Sequence, residues 1–155
     1  MSHLRRLSEG PDQTRHLAAR LGKVLAPGDV VALHGELGSG KTEFVRGLTQ
    51  GLKVPPEEQV GSPSFVLAHL YRGRLTLVHL DLYRLENLPP ELLPDLEEYL
   101  SGPQVCAIEW AERLGELLPP EYLEVRLTIT GENRRELLIT GHGPRGEALV
   151  KALER

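Results

Sequence analysis

Apolar residues recur along much of the chain at spacings that predict helices. Between residues 12 and 25 they repeat every three or four positions, as in an amphipathic helix with one buried face. The same spacing returns over residues 41–52, and shorter helices are predicted at 95–100 and 147–154. Thr14 falls near the start of the first helix, where a surface or packing role is favoured over a ligand contact.

Other stretches have the short apolar runs or the alternation that is typical of strands. Residues 30–33 and 105–108 are strongly apolar, which suits buried parallel strands. Two further pairs of runs are separated by turn residues and predict antiparallel hairpins. The hairpin strands are 66–71 with 75–80, and 123–129 with 137–139. Together these elements predict an α/β fold with a mixed sheet, parallel at its centre and antiparallel at its edges, between flanking helices.

The composition is that of an ordinary globular protein and narrows the choice of partners. The chain has 155 residues and a net charge of −4, so we expect one domain over residues 1–155 and no broad basic surface for DNA. A single cysteine, Cys106, excludes an intramolecular disulfide and a cysteine-based zinc site. The N-terminal residues lack the apolar core of a signal peptide, and no apolar run approaches the length of a membrane span. We therefore expect a cytoplasmic protein that binds no membrane.

One glycine-rich stretch, between the first apolar strand and the second helix, carries a specific chemistry. Residues 35–42, called here the glycine loop, match the pattern G-x-x-x-x-G-K-[ST], which holds nucleotide phosphates through backbone N–H groups. The helix that follows adds unpaired N–H donors and the positive end of its dipole. In this pattern Lys41 reaches the β- and γ-phosphates, and the Thr42 hydroxyl ligates Mg²⁺. The residues predicted to bind nucleotide are Gly35, Glu36, Leu37, Gly38, Ser39, Gly40, Lys41 and Thr42.

Two carboxylates follow strand-like runs and could serve phosphoryl transfer beside the glycine loop. Glu109 ends an apolar strand, an arrangement typical of a magnesium-binding carboxylate at the carboxyl edge of a sheet. Asp81 ends the first hairpin, although aspartate is depleted in strands. Lys41, Asp81 and Glu109 are accordingly the predicted catalytic residues.

The neighbours of these carboxylates allow more than one interpretation. Strand alternation would place His79, Asp81 and Tyr83 on one face. His79 could be a catalytic base, a metal ligand or a hydrogen-bonded structural residue, and Trp110 could pack or report on the site. The arginines that could place positive charge at the γ-phosphate are Arg46, Arg72, Arg84 and Arg134.

Two other classes of function are compatible with a phosphate-binding loop. A small-molecule kinase would pass the γ-phosphate to an acceptor, but the sequence has no evident acceptor pocket rich in paired arginines. A non-hydrolysing interaction module would bind ATP without turnover, which the two site carboxylates disfavour. The guanine-reading motif N-K-x-D is absent from the sequence, so a GTPase is unsupported.

Four segments, in this order, resemble the TsaE (YjeE) family of bacterial ATPases of tRNA threonylcarbamoyladenosine biosynthesis. Besides the glycine loop they are Ser62-Pro63-Ser64-Phe65, His79-Leu80-Asp81-Leu82-Tyr83-Arg84 and Ile108-Glu109-Trp110. The resemblance runs from about Thr14 to the hairpin at 134–139, which is most of the chain. It implies a P-loop NTPase-like three-layer fold and slow, Mg²⁺-dependent ATP hydrolysis in complex with TsaB and TsaD. TsaD would transfer the threonylcarbamoyl group, so this chain would meet tRNA only indirectly.

The same resemblance implies roles for individual residues. Thr42 and Glu109 resemble the family's Mg²⁺ ligands, and Asp81 resembles its catalytic or metal-shell carboxylate. The segment Ser62, Pro63, Ser64 and Phe65 resembles a switch-like loop near the γ-phosphate. Thr14 and the pair Arg134-Arg135 fall where the family has residues close to the adenine or the phosphates.

The chain departs from the family pattern at three positions. Glu43 stands where the family commonly has threonine, and its carboxylate would repel phosphates unless it points away or supports the metal. Ser64 replaces the usual threonine and preserves the hydroxyl. Ser39 replaces a frequent alanine, a harmless change in a loop that acts through its backbone.

Overall fold

The computed structural model describes residues 2–56, 68–83, 85 and 87–155. The segment from Ser62 to Phe65, predicted to be a switch-like loop, lies outside the described residues, as does Arg84. The strands are β1 Ser2–Ser8, β2 Val30–His34, β3 Ala68–Arg72, β4 Thr76–Asp81, β5 Val105–Glu109, β6 Tyr122–Ile129 and β7 Arg135–His142. The helices are α1 Pro11–Val24, α2 Lys41–Gly51, α3 Leu93–Ser101 and α4 Gly143–Glu154, with 3₁₀ segments at Pro90–Leu92 and Ala111–Leu117.

Within the described residues, the strands form a seven-stranded sheet in the order β1-β7-β6-β2-β5-β4-β3. Its centre, from β6 through β2 and β5 to β4, is parallel. The outer pairs β1–β7, β7–β6 and β3–β4 are antiparallel. The mixed sheet predicted from the sequence is therefore confirmed.

The helices cover both faces of this sheet. On one face the buried side chains of α1, α2 and α4 form a single core with the inward residues of the strands, including Leu21, Phe44 and Val150. On the opposite face Leu96 of α3 and Leu114 of the second 3₁₀ segment pack against Ile108. None of the helices in the described part of the chain is long and apolar enough to cross a membrane.

Strand β1 and the start of helix α4 differ from the sequence expectation. Strand β1 was not predicted, because Arg5 and Arg6 interrupt its apolar pattern and Leu7 is 66% exposed. Backbone pairing with β7 from Ser2 to Ser8 holds it at the edge of the sheet. Helix α4 begins at Gly143 rather than at residue 147, since its first turn has a proline but no apolar repeat.

Helices α1 and α2 approach each other closely because glycines line their contact. The Cα atoms of Gly22 and Gly51 occupy space that a side chain at either position would need. A Cβ added at Gly47 would overlap the carbonyl oxygen of Arg15 and would lie 2.5 Å from the Cβ of Ala18. The position of α2, and thus of the loop before it, depends on this contact.

We therefore expect Gly47→Ala to destabilise the protein by about 1–3 kcal/mol through overpacking. The sign is informative, because alanine normally stabilises a helix interior by about 1 kcal/mol relative to glycine. Urea unfolding would measure the change, with Gln50→Ala on the exposed face of α2 as the matched control. A stabilised Gly47→Ala variant would contradict the close contact.

The one cysteine lies in the core and is expected to be chemically inert. Cys106 is 1% exposed, and its thiol donates to the Tyr99 carbonyl oxygen over 3.1 Å. Burial raises the pKa of the Cys106 thiol to about 12. At about pH 8 only on the order of one thiol in ten thousand would then be ionised.

A disulfide reagent should thus label Cys106 very slowly in the folded chain and rapidly in the urea-unfolded chain. Equally fast labelling of both would contradict this burial.

Candidate nucleotide-binding site

The glycine loop connects the end of β2 directly to the start of α2. Gly38 and Gly40 have φ angles of 83° and 107°, in the left-handed region that side chains disfavour. At Gly35 the constraint is space, since an added Cβ would overlap Ser39 Oγ and lie 2.9 Å from the Leu127 carbonyl oxygen. The glycines of the motif thus allow the left-handed backbone and the close packing that this tight turn against β6 needs.

The side chains of the loop differ widely in exposure. Leu37 at the tip is 98% exposed, whereas Ser39 is fully buried. Ser39 Oγ has no hydrogen-bond partner among the described residues. The first turn of α2 begins at Lys41, where N–H groups of a helix lack internal partners. A loop of this form can present several N–H donors to one anion.

Lys41 projects from the start of α2 towards the carboxyl edge of the sheet. Its Nζ donates to the Gly35 carbonyl oxygen over 2.7 Å and lies 3.6 Å from Glu109 Oε1. It also lies 5.8 Å from the centre of the Trp110 ring, within the range of a cation–π contact. The amine is therefore held between the glycine loop and the end of β5.

Glu109 occupies the position that its place at the end of an apolar strand predicted. It is the last residue of β5 and lies in register with Leu33 of β2 and with Asp81 of β4. The residue is 6% exposed. One carboxylate oxygen faces Lys41, while the other, Oε2, is 2.7 Å from His79 Nε2. Both oxygens of Glu109 thus have a defined partner.

Asp81 lies beside Glu109 at the same edge of the sheet. Burial raises the pKa of the Asp81 carboxyl, the Tyr83 N–H that it accepts over 3.0 Å opposes this shift, and the charge of Glu109 adds to it. Asp81, whose pKa is raised, is suited to accepting a proton. Together with Glu109 it could also complete the ligand shell of a metal ion.

The expectation that Tyr83 continues the face of His79 and Asp81 was wrong. Strand β4 ends at Asp81, whose side chain accepts the Tyr83 N–H and turns the chain. Tyr83 is 58% exposed, and its ring contacts Trp110 at a centroid distance of 5.3 Å. Alternation ends where the strand ends, so it cannot place Tyr83.

Trp110 follows Glu109 in an unusual backbone conformation. Its φ of 61° and ψ of 41° are left-handed, which costs a residue with a side chain about 1–2 kcal/mol. The guanidinium of Arg113 lies 5.0 Å from the Trp110 ring and donates to the Tyr83 carbonyl oxygen over 3.0 Å. Arg113, three residues after Trp110, was missed by the sequence analysis and joins the two aromatic residues beside the site.

The sequence of this chain is similar to those of known proteins. The sequence model of the family described as "Threonylcarbamoyl adenosine biosynthesis protein TsaE" matches residues 8–137. The chain belongs to the TsaE family. The TsaE protein of Bacillus subtilis is 37% identical, over 100% of this chain and 96% of its own length. The TsaE protein of a Nostoc species is 44% identical over 83% of this chain and 80% of its own length.

The TsaE-family fold is also found in a solved structure. The crystal structure of Bacillus subtilis YdiB superposes with a TM-score of 0.82 and 33% sequence identity. The match covers 99% of this chain and 95% of that chain. The recognition of the family from four segments, and the α/β fold class, are therefore both confirmed.

Glu43, the clearest departure from the TsaE pattern, has cationic partners. Its carboxylate pairs with Arg15 of α1 and, over 2.7 Å, with Arg46 one turn further along α2. Arg15 also pairs with Asp12. Two guanidinium groups thus offset the charge of Glu43, and a carboxylate in the first turn of a helix also interacts favourably with its dipole.

Of the arginines predicted as candidates, the structure describes three, and each has other surroundings than the glycine loop. Arg46 pairs with Glu43, Arg72 is exposed at the end of β3, and Arg134 is exposed and pairs with Glu9 over 3.0 Å. The next residue, Arg135, instead donates to the carbonyl oxygens of Gly38 and Ser39, each over 3.2 Å. Arg135 therefore ties the β6–β7 turn to the loop in this TsaE-family chain.

Thr14 is a packing residue in this structure. It is 2% exposed on α1, and its hydroxyl shares a hydrogen bond of 2.8 Å with Ser8 Oγ at the end of β1. Its predicted proximity to the nucleotide stays a prediction, as do the ligand roles of the loop residues, Thr42 and Asp81.

Proposed function

We propose that this chain is a cytoplasmic, Mg²⁺-dependent ATPase that acts with TsaB and TsaD in forming threonylcarbamoyladenosine on tRNA. The observation that carries the proposal is the contact between the two halves of the site. Lys41 of the glycine loop lies 3.6 Å from the carboxylate of Glu109 at the end of the neighbouring strand. A phosphate-binding lysine beside a strand-end carboxylate is the arrangement that nucleotide hydrolysis on this fold requires.

The glycine loop fits the triphosphate of ATP as a substrate. Its left-handed glycines and exposed tip suit a loop that binds phosphate oxygens through backbone N–H groups. Lys41 Nζ can exchange the Gly35 carbonyl oxygen for a β- or γ-phosphate oxygen without moving its helix. Arg135 supports the cradle from outside, since it binds carbonyl oxygens of the loop and leaves N–H groups to the substrate.

The residues present also fit Mg²⁺. Among the described residues no group of three or more His, Cys, Asp or Glu side chains could hold a metal by itself. A P-loop magnesium does not need such a group, because phosphate oxygens and water supply most of its ligands. Thr42 and Glu109 would supply the protein's share, with Asp81 at the outer shell. The bound ion would neutralise charge that develops on the phosphate oxygens.

Asp81 and Glu109 have different roles in the proposed hydrolysis. Glu109, adjacent to Lys41, faces the phosphate side of the site, and Asp81 lies one strand further from the loop. Because burial raises its pKa, Asp81 is the better group to orient a water molecule and accept its proton. The acidic net charge of −4 favours a role beside protein partners over direct, unaided contact with tRNA.

A reconstitution would test this function. TsaB, TsaD, tRNA, ATP and a source of the threonylcarbamoyl group would be combined with and without this chain, and the modified nucleoside would be counted per TsaD. We expect repeated turnover only when both the chain and ATP are present. The same yield without the chain would contradict the proposal, and transfer of labelled γ-phosphate to a molecule other than water would indicate a kinase instead.

A further inference from the structure

His79 stands out as a fully buried histidine with one ring nitrogen engaged and the other not. Its Nε2 lies 2.7 Å from Glu109 Oε2, whereas Nδ1 has no hydrogen-bond partner among the described residues. A buried polar atom left without a partner costs free energy, so a histidine at this position needs some compensation. Among the described residues, Glu109 is the only hydrogen-bond partner of this ring.

The sheet itself directs the imidazole at Glu109. In the parallel register His79 lies opposite Ala107, and Asp81 lies opposite Glu109. The small side chain of Ala107 leaves room for the His79 ring to lean along β5 towards the next residue on the same face, Glu109. Because β4 and β5 are both central strands, neither His79 nor Glu109 can move far without disturbing the core.

We propose that His79 is a positioning residue that fixes the rotamer of Glu109 for ATP hydrolysis, an inference that rests on the proposed function. In this role Glu109 is a carboxylate that only accepts hydrogen bonds, so Nε2 of His79 is the donor to Oε2. This leaves Oε1 facing Lys41 and the glycine loop. His79 acts through Glu109 and needs no contact with ATP, in the way that outer partners orient metal-binding carboxylates.

Two substitutions separate this role from simple packing. His79→Leu removes the donor and keeps an apolar side chain in the core, whereas the amide N–H of His79→Gln can take the place of Nε2–H. We expect His79→Leu to lower kcat for ATP hydrolysis about 10- to 100-fold with the Kd for ATP nearly unchanged. We expect His79→Gln to recover most of the lost rate. Equal rates in wild type and His79→Leu, or equal losses in both variants, would overturn the role.

A double variant tests whether the effect passes through Glu109. In a Glu109→Gln background, His79→Leu should cause little further loss of hydrolysis, because the carboxylate that it positions is already gone. Multiplied losses in the double variant would overturn the inference. If the wild-type chain itself hydrolyses no ATP, with or without TsaB and TsaD, the proposed function fails first and the role of His79 fails with it.

A measurement on the protein without nucleotide covers the case in which a variant does not fold. Nitrogen NMR of the His79 ring distinguishes a protonated ring nitrogen from a bare one. We expect a proton on Nε2 and a shift of the Nε2 resonance in Glu109→Gln. A proton on Nδ1 with a bare Nε2 would overturn the donor geometry, whatever the hydrolysis rates.

Discussion

Replacing Lys41 by alanine should weaken ATP binding by about 10- to 100-fold and reduce hydrolysis to background. In the wild-type chain the Lys41 amine contacts both the glycine loop and Glu109, at 2.7 Å from the Gly35 carbonyl oxygen and 3.6 Å from Glu109 Oε1. A charge-assisted hydrogen bond to a phosphate is worth about 1.5–3 kcal/mol, which corresponds to that loss of affinity. Calorimetric titration with ATP and Mg²⁺ would measure the binding, and phosphate release would measure the turnover.

Lys151→Ala is the matched control for this variant. Lys151 is exposed in the last turn of α4, and its removal changes the net charge by the same amount. The control should bind and hydrolyse ATP as the wild type does. Full retention of both properties by Lys41→Ala would contradict the assignment of the glycine loop as the phosphate site.

Glu109→Gln should separate binding from hydrolysis. The amide keeps the size of the side chain, so the core at the end of β5 is preserved, but it removes the charge beside Lys41 and the proposed metal ligand. We expect kcat to fall about 100-fold or more, while the Kd for ATP changes by less than about threefold. Single-turnover hydrolysis and nucleotide titration on the same preparation would give both values.

Glu116→Gln provides the comparison for this second variant. Glu116 is exposed in the 3₁₀ segment that follows Trp110, and its loss removes one negative charge near the site without touching Lys41. It should leave turnover unchanged. If Glu109→Gln hydrolysed ATP as fast as Glu116→Gln, the role of Glu109 would be wrong.

The parts of the fold that the sequence predicted are those encoded by neighbouring residues. The glycine loop, its preceding strand and its following helix lie within one continuous segment, and their patterns are unmixed. The strand ending in Glu109 was equally clear, since its other four residues are all apolar. Parallel pairing then brings Glu109 to the loop by geometry alone.

The parts that the sequence did not predict depend on contacts between distant segments. Strand β1 is held by backbone bonds to β7 near the other end of the chain, which no local pattern reveals. The charge of Glu43 looked unfavourable until Arg15, 28 residues earlier, was found beside it. Alternation pointed to Tyr83 because it could not show that Asp81 ends the strand. Arg135 rather than Arg134 reaches the loop because the β6–β7 pairing sets which of the two faces it.

The most direct test of the proposed ATPase function is the rate of ATP hydrolysis, measured for this chain alone and with the purified TsaB–TsaD pair. We expect slow, Mg²⁺-dependent phosphate release by the chain alone and a rate at least about tenfold higher with the pair. We also expect Lys41→Ala to abolish the stimulated rate. The proposed function would be contradicted if the chain did not associate with TsaB–TsaD and its rate of hydrolysis did not change in their presence.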